Sequence, residues 1–120
     1  MQITQRQVGD VVILDLSGTI TLGEGDELLK DKINHLLAQG HRKVVLDLTG
    51  VPYIDSAGLG EIVRAHTEFE RRHGALKFLN LQQRLLDLFD ITKLRKAYKK
   101  DIFTSEEEAL RSFVIQPKIK

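Results

Sequence analysis

One serine of this chain has surroundings that favour chemistry, within the segment DSAGLG (55–60). An apolar run ends at Thr49-Gly50, and the chain then passes Asp55 and Ser56 into a predicted helix that carries Gly58 and Gly60. Each glycine in a helix costs about 1 kcal/mol relative to alanine. Their missing side chains would leave Ser56 and the amides of the helix start open to a phosphate group or to another molecule's backbone.

A simpler interpretation is that Ser56 caps the helix. A serine before a helical run accepts a hydrogen bond from an orphan amide, which stabilises the helix by about 1 kcal/mol. A cap needs no glycines after it, although close packing against the sheet could explain one of the two.

Hydrolase chemistry is a weaker alternative. The nucleophile elbow Gly-x-Ser-x-Gly requires a glycine where Ile54 stands, so only Gly58 matches. A base for Ser56 would have to be a histidine, and His66 lies on the apolar stripe of its own helix. The remaining candidates fall at helix surfaces or ends: His35, His41 and His73. We therefore predict no catalytic residues, and a small serine hydrolase stays an unfavoured alternative.

Phosphorylation suits the same position. A phosphate on Ser56 would add about −1.5 to −2 charges at a helix N-terminus, which tolerates anions. Next to Asp55 the surface would become strongly anionic. A partner that docks on the neutral serine would then be repelled, so the site would work as a switch.

Composition excludes several classes of protein. With 18 Lys+Arg against 17 Asp+Glu in 120 residues, the net charge of +1 gives no general bias toward nucleic acid. No cysteine is present, so disulfides and thiolate-bound metals are excluded. We expect no cofactor, no metal, no nucleic acid and no membrane partner, and a cytoplasmic location, because no apolar stretch is long enough for a membrane span or a secretory signal. The basic run KLRKAYKK (93–100) is interpreted as a solvated connector.

Hydrophobic periodicity predicts one α/β domain, over 1–113, with a loose tail over 114–120. The order is β-β-α-β-α-β-α-β-α, which indicates a mixed four- to five-stranded sheet packed with about four helices. Near-continuous apolar runs at 11–18 and 44–50 predict strands covered on both faces. Gly9-Asp10 predicts a hairpin turn, Gly40 and Gly74 predict helix ends, and Ser105 with Glu108 has capping-box spacing.

These residues together resemble a known family. DSAGLG at a strand-to-helix junction, preceded by LDLSG and an amphipathic helix, is similar to the STAS domain of bacterial anti-sigma-factor antagonists. The later segment LKFLNL…LLDLFDITKL is similar to the strand and Leu-Phe helix of that family. The resemblance covers residues 2–113.

The resemblance implies a function. The residue matching Ser56 is phosphorylated by an anti-sigma factor that is itself an ATP-dependent serine kinase. The unphosphorylated antagonist binds that kinase and so releases a sigma factor, and a serine phosphatase resets the cycle. By this analogy Asp55, Gly58, Leu59 and Gly60 belong to the docking face. The domain is then a substrate and binding partner and not an enzyme, and a homodimer is compatible with this role.

Thr21 is the main departure from the family pattern. Family members commonly carry an aspartate in the loop after the second strand, close to the phosphoserine site, and Thr21 stands there in SGTITLGEGDEL. STAS domains of stressosome scaffolds are also similar and can carry a second phosphorylatable threonine in this region. A scaffold subunit of a stressosome-like assembly is therefore the alternative function, with Thr21 as a further site. An ordinary loop hydroxyl is the simpler interpretation of Thr21.

Overall fold

Five strands form one mixed sheet in the order β1-β2-β3-β4-β5. The computed structural model describes residues 1–114, so the predicted tail lies outside the described residues except for Val114, which ends the last helix. Along the chain the elements are β1 Gln2–Val8, β2 Val11–Ser17, α1 Asp26–Ala38, β3 Lys43–Gly50, α2 Ser56–Arg71, β4 Ala75–Leu79, α3 Gln83–Ile91, α4 Leu94–Ala97, a 3-10 turn Lys99–Asp101, β5 Ile102–Phe103 and α5 Glu106–Val114. The predicted order and sheet are confirmed. The short α4 lies within the basic run that we interpreted as a connector.

Both faces of the sheet are covered, as the apolar runs predict. Strands β2, β3, β4 and β5 are parallel, and β1 joins as an antiparallel edge. One core lies between the sheet and α1, α2 and α3, and a smaller one lies under α5. Arg6 of β1 donates to Asp15 of β2 and to Glu106 of α5, so the hairpin and the last helix are held together. None of the helices in residues 1–114 is both long and apolar enough to span a bilayer.

The predicted turns and caps are mostly confirmed. Val8 pairs with Val11 across the hairpin, and Gly9 has the positive φ of 62° that such a turn requires. The Glu108 amide donates to the Ser105 hydroxyl at 3.3 Å, which caps α5. The prediction for Gly74 needs correction, because α2 ends at Arg71 and the left-handed residue after it is His73, at φ 61°.

A buried ionic cluster joins the two cores. Asp101 is only 4% exposed, and its carboxylate accepts from Lys77 Nζ at 2.8 Å and pairs with His66 Nε2 at 2.7 Å. The His66 ring stacks on Tyr98 in the larger core, whereas the Lys77 ammonium lies 5.4 Å from the Phe113 ring centroid in the smaller one. Burial alone raises the pKa of Asp101, but the hydrogen bonds from His66 and Lys77 outweigh it and hold the pKa below its usual value.

Replacing Asp101 by alanine tests this cluster. The change leaves Lys77 buried without its counter-charge, so we expect the free energy of unfolding to fall by about 3–5 kcal/mol, measured by urea denaturation. Asp90→Ala is the matched control, because it removes the exposed Asp90–Arg95 ion pair and should cost about 0–1 kcal/mol. Similar losses for the two variants would contradict a structural role for the cluster.

Candidate functional site

Asp55 caps α2 and ties it to the loop that follows β2. Its backbone is extended, at φ −93° and ψ −173°, and its Oδ1 accepts from the Gly58 amide at 2.9 Å. Its Oδ2 accepts from the Leu22 amide at 3.0 Å. The interpretation of Ser56 as the N-cap is therefore wrong: Asp55 is the cap, and Ser56 is the first residue of the helix.

Backbone contacts around Ile20 reinforce the same junction. Ile20 and Ile54 form an isolated parallel bridge, and the Ile20 carbonyl accepts from the Asp55 amide at 3.3 Å. The Thr21 carbonyl accepts from the amides of Glu24 and the two residues after it, which closes a tight turn. The structure thus brings the Thr21 loop against Asp55, as the family resemblance implied. The side chain of Thr21 is half-buried.

The two glycines of DSAGLG have different roles. A Cβ at Gly58 would overlap the carbonyl oxygen of Ile20, so this glycine lets the helix start pack against the neighbouring loop. Gly58 is buried and is not part of an open approach to Ser56, which corrects its predicted place on the docking face. Gly60 is exposed and has nothing within 4 Å of a built Cβ. Only Gly60 keeps a surface open, and Leu59 between them is half-buried.

Ser56 is exposed at the first turn of a long helix. Among residues 1–114 its hydroxyl has no hydrogen-bond partner, so it is free to be modified or to contact a partner. The first turn of α2 contains no acidic residue. The helix dipole puts partial positive charge at the start of α2, which would stabilise an anion there. Asp55 supplies the adjacent negative charge, and hydrogen bonds from the Gly58 and Leu22 amides hold its pKa below its usual value.

Exposed apolar side chains flank the serine, and the sequence analysis missed them. Leu22 is 76% exposed and lies in the loop that Asp55 holds. Tyr53 is 42% exposed and lies in the loop that precedes Asp55. The Arg84 guanidinium of α3 lies 5.4 Å from the Tyr53 ring centroid. The sequence feature that could have identified these side chains was the presence of large apolar residues within otherwise polar loops. Apolar groups grouped on a surface typically mark a site of protein contact.

The geometry does not support a hydrolase. His66 is on the same helix as Ser56 but about 15 Å further along its axis, at about 1.5 Å per residue, and its Nε2 is engaged by Asp101. His41 and His73 precede β3 and β4, at the opposite end of the sheet from Ser56, and His35 lies in the last turn of α1. No histidine of the described chain is placed as its base.

One cluster of side chains could in principle hold a metal ion. The donor atoms of His66, Glu70 and Asp101 lie within 4.8 Å of one another. However, Lys77 places an ammonium group 2.8 Å from Asp101 Oδ1, and its positive charge would oppose a bound cation. We therefore assign His66 and Asp101 to the packing of the two cores, and Glu70 is exposed beside them.

The Asp55 cap predicts a specific pH dependence of stability. Asp55→Ala should lower the thermal unfolding temperature at pH 7, because the Gly58 and Leu22 amides lose their acceptor, whereas Asp55→Asn should retain most of the cap. Since the folded pKa is lowered, the stabilisation by the ionised carboxylate is complete above the ordinary Asp pKa of about 3.9 and is lost as the pH falls through the folded pKa. The difference in thermal unfolding temperature between the native chain and Asp55→Ala, measured by calorimetry, should therefore shrink below about pH 4. A difference that stayed constant down to pH 2 would argue against this role.

Alanine at each glycine gives a matched pair. Gly58→Ala should reduce the free energy of unfolding by about 1–3 kcal/mol, because Ile20 must shift to admit the methyl group. Gly60→Ala should raise it by up to about 1 kcal/mol, because the site is open and alanine favours the helix. Denaturant unfolding measures both, and the assignment fails if the two changes have the same sign.

Comparison with known proteins places this geometry in a family. The sequence model of the STAS domain family matches residues 2–109 of this chain. The anti-sigma-B factor antagonist of Bacillus subtilis (strain 168) is 40% identical over 68 residues, which are 57% of this chain and 62% of that protein. The provisionally named anti-sigma factor antagonist BtrV of Bordetella bronchiseptica is 25% identical over 113 residues, covering 94% of this chain and 95% of that protein.

A solved structure shows the same fold. The Bacillus cell-fate determinant SpoIIAA, in its phosphorylated form, superposes with a TM-score of 0.73 at 21% sequence identity, over 93% of this chain and 99% of that chain. The curated relatives are thus anti-sigma factor antagonists, a regulatory class, as the resemblance implied. The chain belongs to the STAS domain family.

Proposed function

We propose that this protein is an anti-sigma-factor antagonist that is switched off by phosphorylation of Ser56. In the unphosphorylated state it binds an anti-sigma factor and so releases a sigma factor. The relatives are named as anti-sigma factor antagonists, which supports the antagonist part of the proposal, and the match to one of them extends over almost the whole chain. The observation that carries the proposal is the position of Ser56. Its hydroxyl is exposed and has no hydrogen-bond partner in the described part of the chain, at a helix start whose cap is supplied by a different residue.

The surroundings of Ser56 support an electrostatic switch. Asp55 is already ionised there, and a phosphate beside it would concentrate roughly three negative charges on a small area. The exposed side chains of Leu22 and Tyr53 would form the apolar part of the docking face, with Leu59 and Gly60 on the helix. A partner that had covered these groups would then have to bury the new charge or leave.

The partners follow from the same proposal. The phosphate donor would be an anti-sigma factor with serine kinase activity, and a serine phosphatase would reverse the modification in the cytoplasm. The domain itself would act as substrate and ligand and not as an enzyme. Thr21 would contact the partner from the loop that Asp55 holds in place. Its half-buried side chain gives no reason to prefer the scaffold alternative, in which Thr21 would be modified as well.

Phosphate mapping tests the acceptor. Incubation with the anti-sigma factor encoded near this gene and with ATP should add one phosphate, which mass spectrometry should locate on Ser56. The Ser56→Ala variant should remain unmodified. Phosphate on Thr21 in the native chain would instead favour the scaffold alternative, and modification at any other position would overturn the assignment.

Binding of Ser56 variants to the same anti-sigma factor tests the switch. Ser56→Asp should weaken the complex by at least about tenfold, because it adds charge beside Asp55, whereas Ser56→Ala should bind like the native protein. Thr67→Asp is the matched control, since Thr67 is exposed further along α2. Titration calorimetry gives the three affinities. Equal weakening by Ser56→Asp and Thr67→Asp would mean that the effect is one of overall charge.

A further inference from the structure

A second groove lies on the side of α3 that faces away from Tyr53. It has a volume of about 270 Å³ and lies between α3, the basic run and β5. Half-buried apolar side chains line its floor, and two exposed cations stand at its rim: Leu81, Leu86, Ile102 and Phe103, with Arg95 and Lys99. The groove beside Tyr53 uses other residues of α3, including Leu85 and Leu88. The two surfaces therefore share a helix but not its contact residues.

The basic run is held rigidly against this groove. Tyr98, in the middle of KLRKAYKK, is buried and stacks on His66 at 4.0 Å between ring centroids. Lys93 adopts the left-handed conformation at φ 67°, which turns the chain between α3 and α4. A run anchored by a buried aromatic ring does not behave as a free connector. Its cations are presented at fixed positions on the rim.

The two cations of this rim differ in their ion pairing. Asp101 is the nearest acid after the run, and it is buried between Lys77 and His66. Asp90 pairs with Arg95 at 2.9 Å. Within residues 1–114 Lys99 has no ion-pair partner, and neither has Lys100 beside it. The unpaired positive charge at the groove is therefore that of Lys99, with Lys100 beside it, and it acts on an incoming ligand over about 8–10 Å at physiological salt.

We propose that this groove is a docking site for an acidic segment of a protein partner that carries one or two large apolar side chains. The apolar floor would receive those side chains, and Lys99 would attract the carboxylates around them. The volume is just below the roughly 300–1,000 Å³ of small-molecule pockets, which suits side chains better than a whole ligand. Binding of single-stranded nucleic acid typically uses several exposed aromatic planes for stacking, and the floor is aliphatic apart from the half-buried Phe103.

The site goes beyond the proposed switch, because it contains neither Ser56 nor any residue that holds Asp55. A partner bound there would stay bound whether or not Ser56 is phosphorylated. The domain could then keep one protein in place while releasing another.

A labelled peptide provides the test. The probe is a short fluorescein-labelled peptide with adjacent Leu and Phe between runs of Glu, and fluorescence anisotropy gives its affinity. Saturable binding that weakens as NaCl is raised is the expected result. The resonances of Leu86, Lys99 and Phe103 should shift in NMR titrations, while those of Ser56 and Leu22 should not. Two peptides serve as controls: one with Leu and Phe replaced by Ser, and one with Glu replaced by Lys.

Charge reversal on the protein completes the design. Lys99→Glu should weaken binding at least about fivefold, whereas Lys30→Glu, which makes the same change on an exposed part of α1, should not. Ser56→Asp should leave the affinity unchanged. The proposal is overturned if the acidic probe shows no saturable binding, if it binds both lysine variants equally, if Ser56→Asp abolishes its binding, or if single-stranded DNA displaces it at lower concentration.

Discussion

The site depends on one carboxylate that two separate segments share. Asp55 accepts from Gly58 within its own helix and from Leu22 in the loop after β2, so a single side chain both starts α2 and holds the neighbouring loop. These are charge-assisted hydrogen bonds, which are roughly twice as strong as neutral ones. They lower the pKa of Asp55 below its usual value, so the carboxylate stays ionised to a lower pH than one without these bonds. One side chain thus supplies the charge beside Ser56 and also holds the neighbouring loop in position.

Gly58 is the steric counterpart of that carboxylate. The Ile20 carbonyl accepts from the Asp55 amide and lies where a Cβ of residue 58 would be, so the loop can approach only a glycine. Gly60 meets no such constraint, and its helix-weakening effect is not offset by packing. Close packing thus explains the glycine at position 58 but not the glycine at position 60. Gly60 instead leaves an open surface on which a partner can bind.

What the sequence could predict depends on how far apart along the chain the interacting residues are. Apolar periodicity is local, so it located the strands and all helices but the short α4, and the Gly9-Asp10 pair located the hairpin turn. The serine and its helix start were found because DSAGLG is a contiguous motif. The bond from Leu22 to Asp55 and the cluster of His66, Lys77 and Asp101 join distant residues, and no spacing rule predicts them. For the same reason Ser56 was interpreted as a possible cap: the type of residue suits a cap, and only the backbone geometry shows that Asp55 takes that place.

The cap of α2 is Asp55 and not Ser56, and this difference determines how a switch at Ser56 can act. If Ser56 were the cap, a phosphate on it would break the hydrogen bond that starts α2, and the switch would involve unfolding of the first turn. Because Asp55 holds that bond, a phosphate on Ser56 removes no internal contact that the structure shows. The helix dipole at the start of α2 favours the added anion, while the neighbouring carboxylate opposes it. The fold is therefore expected to survive phosphorylation, and the change is confined to the charge and shape that a partner meets.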